Sequence, residues 1–204
     1  MENNQQKFWA GEFGNSYISR NRSDEFLASN LHLFSKIFSK LSYAPKSFVE
    51  FGANIGMNAK ALKLLFPESV YCGVEVNEEA HRQLTELADI AIHSSIETCE
   101  LQETYEVSFT KGVLIHINPN NLKLAYEKLY NSSSRYILIA EYYNPTPVEI
   151  PYRGFADRLF KRDFASELLS IYADLNVIDY GFAFHRGAFA QDDITWFLLE
   201  KSSM

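Results

Sequence analysis

The chain has 204 residues, 47% of them hydrophobic, with 19 Lys and Arg against 26 Asp and Glu and a formal charge of -7. That length supports one sizeable core and is short for two, and the acidic balance with scattered basic residues argues against a nucleic-acid partner. The apolar runs fall far below the roughly 20 residues that span a bilayer, the polar start lacks a signal-peptide profile, and Cys72 and Cys99 have no partner at metal-ligand spacing. A soluble cytoplasmic chain with reduced thiols, no metal and no membrane contact is expected.

In chain order, an aromatic segment from Lys7 to Tyr17 leads into a helix that Asp24 can cap, with Leu27, Leu31, Phe34, Phe38 and Leu41 at helical spacing. After about residue 45, strand and helix signals alternate. Ser47 to Phe51 reads as the first strand, followed by a glycine-containing turn and a helix from about Ile55 to Phe66 that Pro67 ends. Val70 to Glu75, Ile90 to Ile92, Glu106 to Thr110 and Arg135 to Glu141 read as strands two to five, with helices over Glu78 to Ala88 and from Pro119. The segment from Asn144 to Arg162 reads as a long loop rich in rings, which suits a substrate site better than disorder. Asp163 can cap the next helix, and Leu175 to Phe184 and Thr195 to Lys201 read as a terminal antiparallel hairpin. The sum is a Rossmann-like, doubly wound α/β fold with seven strands in a single domain.

The turn after strand one carries Glu50, Gly52, Asn54 and Gly56. A pyrophosphate-binding turn uses the G-x-G-x-x-G spacing, which is absent here, and a carboxylate at Glu50 repels phosphate. The same carboxylate suits a cationic ligand, and the amino group and sulfonium of S-adenosylmethionine are both positive. Glu75 closes strand two 19 residues after Gly56, where an acidic side chain accepts hydrogen bonds from ribose hydroxyls. Ser94, Ser95 and Ile96 follow strand three, beside the expected adenine. A tight turn without a ligand is the plain alternative. A nicotinamide-dependent sugar oxidoreductase and a non-catalytic cofactor-binding scaffold are the competing functional readings.

With these motifs the chain resembles the class I S-adenosylmethionine-dependent methyltransferases over nearly its whole length, the likeness running through Glu50 to Gly56, Glu75 and the segment from Phe109 to His116, which includes Lys111 and Gly112. Many members have glycine where this chain has Asn54. More narrowly, three segments look like the methylases associated with pseudaminic acid biosynthesis: Phe8 to Gly14 with Tyr17, Arg20 and Asn21; Glu141 to Gly154; and Asp192 to Phe197. This implies a lid formed by 1–44 over an α/β core at 45–204, with Trp9, Tyr17 and Arg20 folding over the cofactor and Arg20 reaching its methionine carboxylate. It also implies methyl transfer to an oxygen or nitrogen of a nonulosonic acid sugar or its precursor. His116 is the first candidate for the base that removes the acceptor proton, since an unperturbed imidazole is mostly neutral at pH 7, and Glu141 is the second. Arg153 and His185 are expected to meet an acidic sugar, and Tyr142, Tyr143 and Tyr152 to stack on its ring.

Overall fold

A computed structural model describes residues 4–18 and 23–202. Two short helices, α1 (Asn4–Ala10) and α2 (Glu12–Ile18), precede α3 (Asp24–Phe38). Ser23, not Asp24, is the N-cap of α3, its hydroxyl accepting from the Phe26 N–H, while Asp24 and Glu25 occupy the first turn and favour the positive end of the helix dipole. The chain continues through β1 (Ser47–Phe51), α4 (Met57–Leu65), β2 (Val70–Glu75), α5 (Glu78–Leu84), β3 (Ile90–His93) and β4 (Tyr105–Lys111). Two 3-10 turns then lead to α6 (Leu122–Ser132) and β5 (Ser133–Glu141). Helix α4 starts later than periodicity predicts because Asn54 and Gly56 both hold left-handed backbone, with φ of 49° and 85°, which no continuing helix tolerates.

Among the described residues one seven-stranded sheet forms, ordered β3-β2-β1-β4-β5-β9-β8, where β8 is Leu175–Ala183 and β9 is Ile194–Lys201. The first five strands run parallel, and β9 pairs antiparallel with both β5 and β8. Strand order reverses between β1 and β4, so their carboxyl ends flank the crevice where doubly wound sheets bind ligands. The predicted α/β architecture and the terminal hairpin are both present.

Each face of the sheet has its own core. On one, Phe34, Ile37 and Phe38 of α3, with Ala59 and Leu62 of α4 and Leu84 of α5, cover Phe48, Tyr71, Phe109 and Leu138. On the other, Leu122, Tyr126 and Leu129 of α6 and Phe164 and Leu168 of α7 (Phe164–Ile171) cover Val49, Cys72, Val74 and Ile137. A fully buried Phe or Leu of this kind contributes roughly 1.5–3 kcal/mol. Cys72 and Cys99 are buried free thiols.

The long loop expected at 144–162 is instead a hairpin of β6 (Val148–Tyr152) and β7 (Phe155–Lys161). Its two-residue turn, Arg153 and Gly154, has φ of 52° and 87°, the left-handed pair whose twist matches that of the strands. Phe155 at its tip meets Phe8 and Phe13, with ring centroids at 5.2 and 6.2 Å. Asp163 caps α7 as the sequence suggests, accepting from the Ser166 N–H.

Candidate functional site

The site grows from the turn after β1. Gly52, Asn54 and Gly56 all have positive φ, which folds the chain sharply over the tip of β2. A Cβ at Gly52 would lie 2.4 Å from the Val113 side chain, so only glycine permits this approach to the loop after β4. The turn spends its amides internally. Gly52 and Ala53 N–H donate to the Val74 carbonyl, Ile55 N–H to the Asn54 side chain and Gly56 N–H to the Ala53 carbonyl. Asn54 N–H donates to Glu75 Oε2 at 2.8 Å, and Asn77 N–H to Glu75 Oε1 at 2.8 Å. Glu75 is thereby fixed at the mouth of a cavity, 8% exposed, with its carboxyl raised in pKa because burial outweighs the backbone amides of Asn77, Asn54 and Val76.

The cavity opens at the carboxyl ends of β1, β2, β3 and β4. Of the residues expected at a cofactor, Gly52, Asn54, Glu75, Ser94, Ser95, Ile96, Lys111, Gly112, Trp9 and Tyr17 line it. Glu50 and Gly56 do not. Gly56 packs on Leu84 and Leu87, and Arg20 lies outside the described residues. Of the substrate candidates, Tyr142 and Tyr152 line the cavity. Tyr143 is exposed and bridges to Arg162, Arg153 sits at the hairpin turn with its guanidinium 5.5 Å from the Tyr152 ring centroid, and His185 pairs with Asp193 on the surface at 2.8 Å. These three stand outside the cavity, placed there by turn geometry that the sequence pattern does not expose.

Glu50 departs from the expected contact with a ligand cation. It is fully buried, accepts from Asn58 Nδ2 at 2.6 Å and from the Tyr71 hydroxyl, and burial raises it to about 7. It stands behind Asn58, which lines the cavity and whose Oδ1 is buried in the wall with no partner among the described residues. Glu141 departs likewise. Its carboxylate accepts from the N–H groups of Val113, Leu114 and Ile115 at 3.0, 3.1 and 3.4 Å, so it caps the 3-10 turn at Leu114–His116 and is absent from the cavity lining.

His116 does line the cavity, packed against Trp9 and Tyr152 with ring centroids at 4.5 and 5.1 Å. Its Nδ1 lies 2.6 Å from the Arg158 carbonyl, which can only accept, so Nδ1 carries the proton and Nε2 the lone pair. Burial lowers its pKa to about 4, keeping the ring neutral through the physiological range. Lys111 reaches the cavity beside Phe26, its Nζ 5.1 Å from the ring centroid, under the field of Glu50, Asp192 and Glu141.

Several lining residues escaped the sequence pattern. Gln6 donates from Nε2 to Ser95 Oγ at 2.8 Å and Glu97 Oε2 at 3.1 Å, and Asp192 and Ile194 arrive from just before and at the start of β9; behind the lining, Asn77 joins Glu75 to the N-terminal helices. For Asn77 a signal existed: an Asn before Glu78 and Glu79 is a helix N-cap, and one beside a ribose-type acid lies at the site.

No family model and no curated protein matches the sequence. Solved structures share its fold. A plantazolicin methyltransferase in complex with SAH superposes with a TM-score of 0.67 at 15% identity, over 98% of this chain and 94% of its own. The Burkholderia thailandensis 1,6-didemethyltoxoflavin-N1-methyltransferase, with 1,6-didemethyltoxoflavin and S-adenosylhomocysteine bound, gives 0.71 at 10% identity, over 97% and 87%. The magnesium protoporphyrin IX methyltransferase of Synechocystis PCC 6803 with SAH gives 0.71 at 11%, over 97% of both chains. At these identities the likeness establishes a shared Rossmann-like fold.

Proposed function

We propose that the chain is an S-adenosylmethionine-dependent methyltransferase acting on a small molecule. The observation that carries this is the internal use of the turn's amides beside a Glu75 held at the cavity mouth. A dinucleotide turn must aim free N–H groups at a pyrophosphate, whereas the N–H groups of residues 52–56 are all spent inside the protein. Both oxygens of Glu75 are oriented by backbone amides at the cavity mouth, and a carboxylate with about four acceptor sites retains capacity for ribose hydroxyls. Fully buried and without a partner among the described residues, Trp9 Nε1 and Asn58 Oδ1 add one unspent donor and one unspent acceptor to the wall. This donor set fits an adenosyl amino acid, and the structures that share the fold have such ligands bound.

Bound there, S-adenosylmethionine supplies an electrophilic methyl group on a sulfonium. Glu75, Asn54, Ser94, Ser95 and Ile96 would hold its adenosyl part. His116, neutral with its lone pair on Nε2, would take the acceptor's proton, and Trp9, Tyr142 and Tyr152 would exclude water and flank the acceptor. With Glu141 committed to three amides, the base assignment rests on His116. The resemblance to pseudaminic acid-associated methylases supports a nonulosonic acid acceptor, whose ring would face these aromatic side chains.

The cofactor assignment is tested by calorimetry. The protein should bind S-adenosylhomocysteine and ignore NAD, and Glu75→Gln should weaken the former about 10- to 100-fold, since hydrogen bonds to a charged group contribute roughly 1.5–3 kcal/mol. Unchanged affinity in the folded variant rejects the assignment. Release of S-adenosylhomocysteine with nonulosonic acids, compared with planar heteroaromatic acceptors, decides the substrate class.

A further inference from the structure

We infer that Asn77 is a positioning residue that latches the α1–α2 roof over the cavity, so that filling the Glu75 end and seating the roof are one coupled event. The coupling rests on the cofactor reading above. Asn77 is 3% exposed and engages every hydrogen-bonding group it has. Its N–H holds Glu75 Oε1, its Oδ1 caps α5 by accepting from Ala80 N–H at 2.9 Å, and its carbonyl accepts from His81 N–H. Its Nδ2 donates to the Trp9 carbonyl at 3.1 Å and to Asn15 Oδ1 at 2.8 Å, with the Ala10 carbonyl at 3.4 Å.

Helices of seven residues are too short to persist alone, so α1 and α2 take their position from what they dock on. Besides Asn77, the docking contacts include Gln6 on Ser95 and Glu97, the packing of Ile18 with Ile55 and Ala80, and the ring contacts around Phe8 and Trp9. The crossing of the two helices at Asn77 is closed to side chains. A Cβ at Gly14 would lie 1.8 Å from the Trp9 carbonyl and 2.8 Å from Asn77 Nδ2. One residue thus ties the Glu75 carboxylate to Trp9, whose ring rests on His116. A ligand that fixes Glu75 fixes Asn77 and with it the roof, and by linkage a seated roof favours the ligand equally.

Two variants separate the latch from the cap. Asn77→Asp keeps an oxygen to cap α5 but puts a second oxygen, with no proton to donate, against Trp9 O and Asn15 Oδ1. Gly14→Ala attacks the same contact from the roof, its Cβ meeting the Trp9 carbonyl and Asn77 Nδ2, and leaves the chemistry of the α5 cap, Asn77 Oδ1 on Ala80 N–H, in place. Hydrogen exchange of residues 4–18 in the free protein, and S-adenosylhomocysteine affinity by calorimetry, are the two readouts. Both variants should speed exchange in 4–18 at least about 10-fold while β1, β4 and β5 stay protected, and should weaken binding about 10-fold, the loss expected for one buried hydrogen bond. Wild-type exchange in 4–18 in Asn77→Asp overturns the latch whatever Gly14→Ala does, and a loosened roof with undiminished affinity overturns the coupling. A wild-type protein that does not bind S-adenosylhomocysteine overturns the cofactor reading and the coupling with it, a failure distinguished by the wild type alone.

Discussion

Three buried titratable side chains around the cavity balance one another. Glu141 holds three backbone amides that would otherwise be orphaned at the start of the loop after β4. Glu141→Ala should therefore cost about 3 kcal/mol or more, read by urea denaturation, because each unsatisfied buried amide costs roughly 1–3 kcal/mol. Glu50 and Glu141 are both raised to about 7, so between about 4.5 and 7 the folded state holds more protons than the unfolded one. Their stabilising contribution is complete below 4.5 and is lost as pH rises through 7. His116, lowered to about 4, works in the opposite sense: the unfolded state holds more protons between about 4 and 6.5, so stability is lost as pH falls across that window. His116→Gln removes only this second contribution. Relative to wild type, its melting temperature should be higher at pH 4.5 than at pH 7.5, and an equal offset at both would show that His116 is not held neutral by burial.

At the level of elements, the strand-one turn is the most constrained. Gly52→Ala puts a Cβ against Val113 and forces an alanine to φ near +77°, which together should cost about 2–4 kcal/mol and lower the melting temperature accordingly. The bounds of β1 and β2 were legible because each is a short apolar run between strong turn signals, and the face of α3 followed from its Leu and Phe spacing. The β6–β7 hairpin was not, since Pro151 and the charged residues of β7 break the alternation, and its turn depends on a left-handed Arg153 that no pattern announces. Glu75 and His116 could be placed at the rim by strand order alone. Glu50 could not: it shares strand parity with Phe48, so it enters the layer under α4 beside Tyr71 and Asn58 instead of standing over the tip. Ser23 and Asp24 both qualify chemically as the cap of α3, and the extended backbone at Ser23 chooses between them.

Across the whole molecule, the cavity draws on nearly the full chain, from Gln5 to Ile194. No helix among the described residues is long and apolar enough to cross a membrane. The excess of acid resides partly in buried carboxylates that serve the backbone, so net charge says little about the ligand. Strand order carries one more consequence. Because β9 inserts between β5 and β8, Tyr136, already paired with Val107 of β4, finds its partner on the other side at Glu200, and β8 has no place in the sheet until β9 arrives. A growing polypeptide must hold the bare flank of β5 open while some sixty later residues are made, which makes this assembly slow, late and dependent on its final strand.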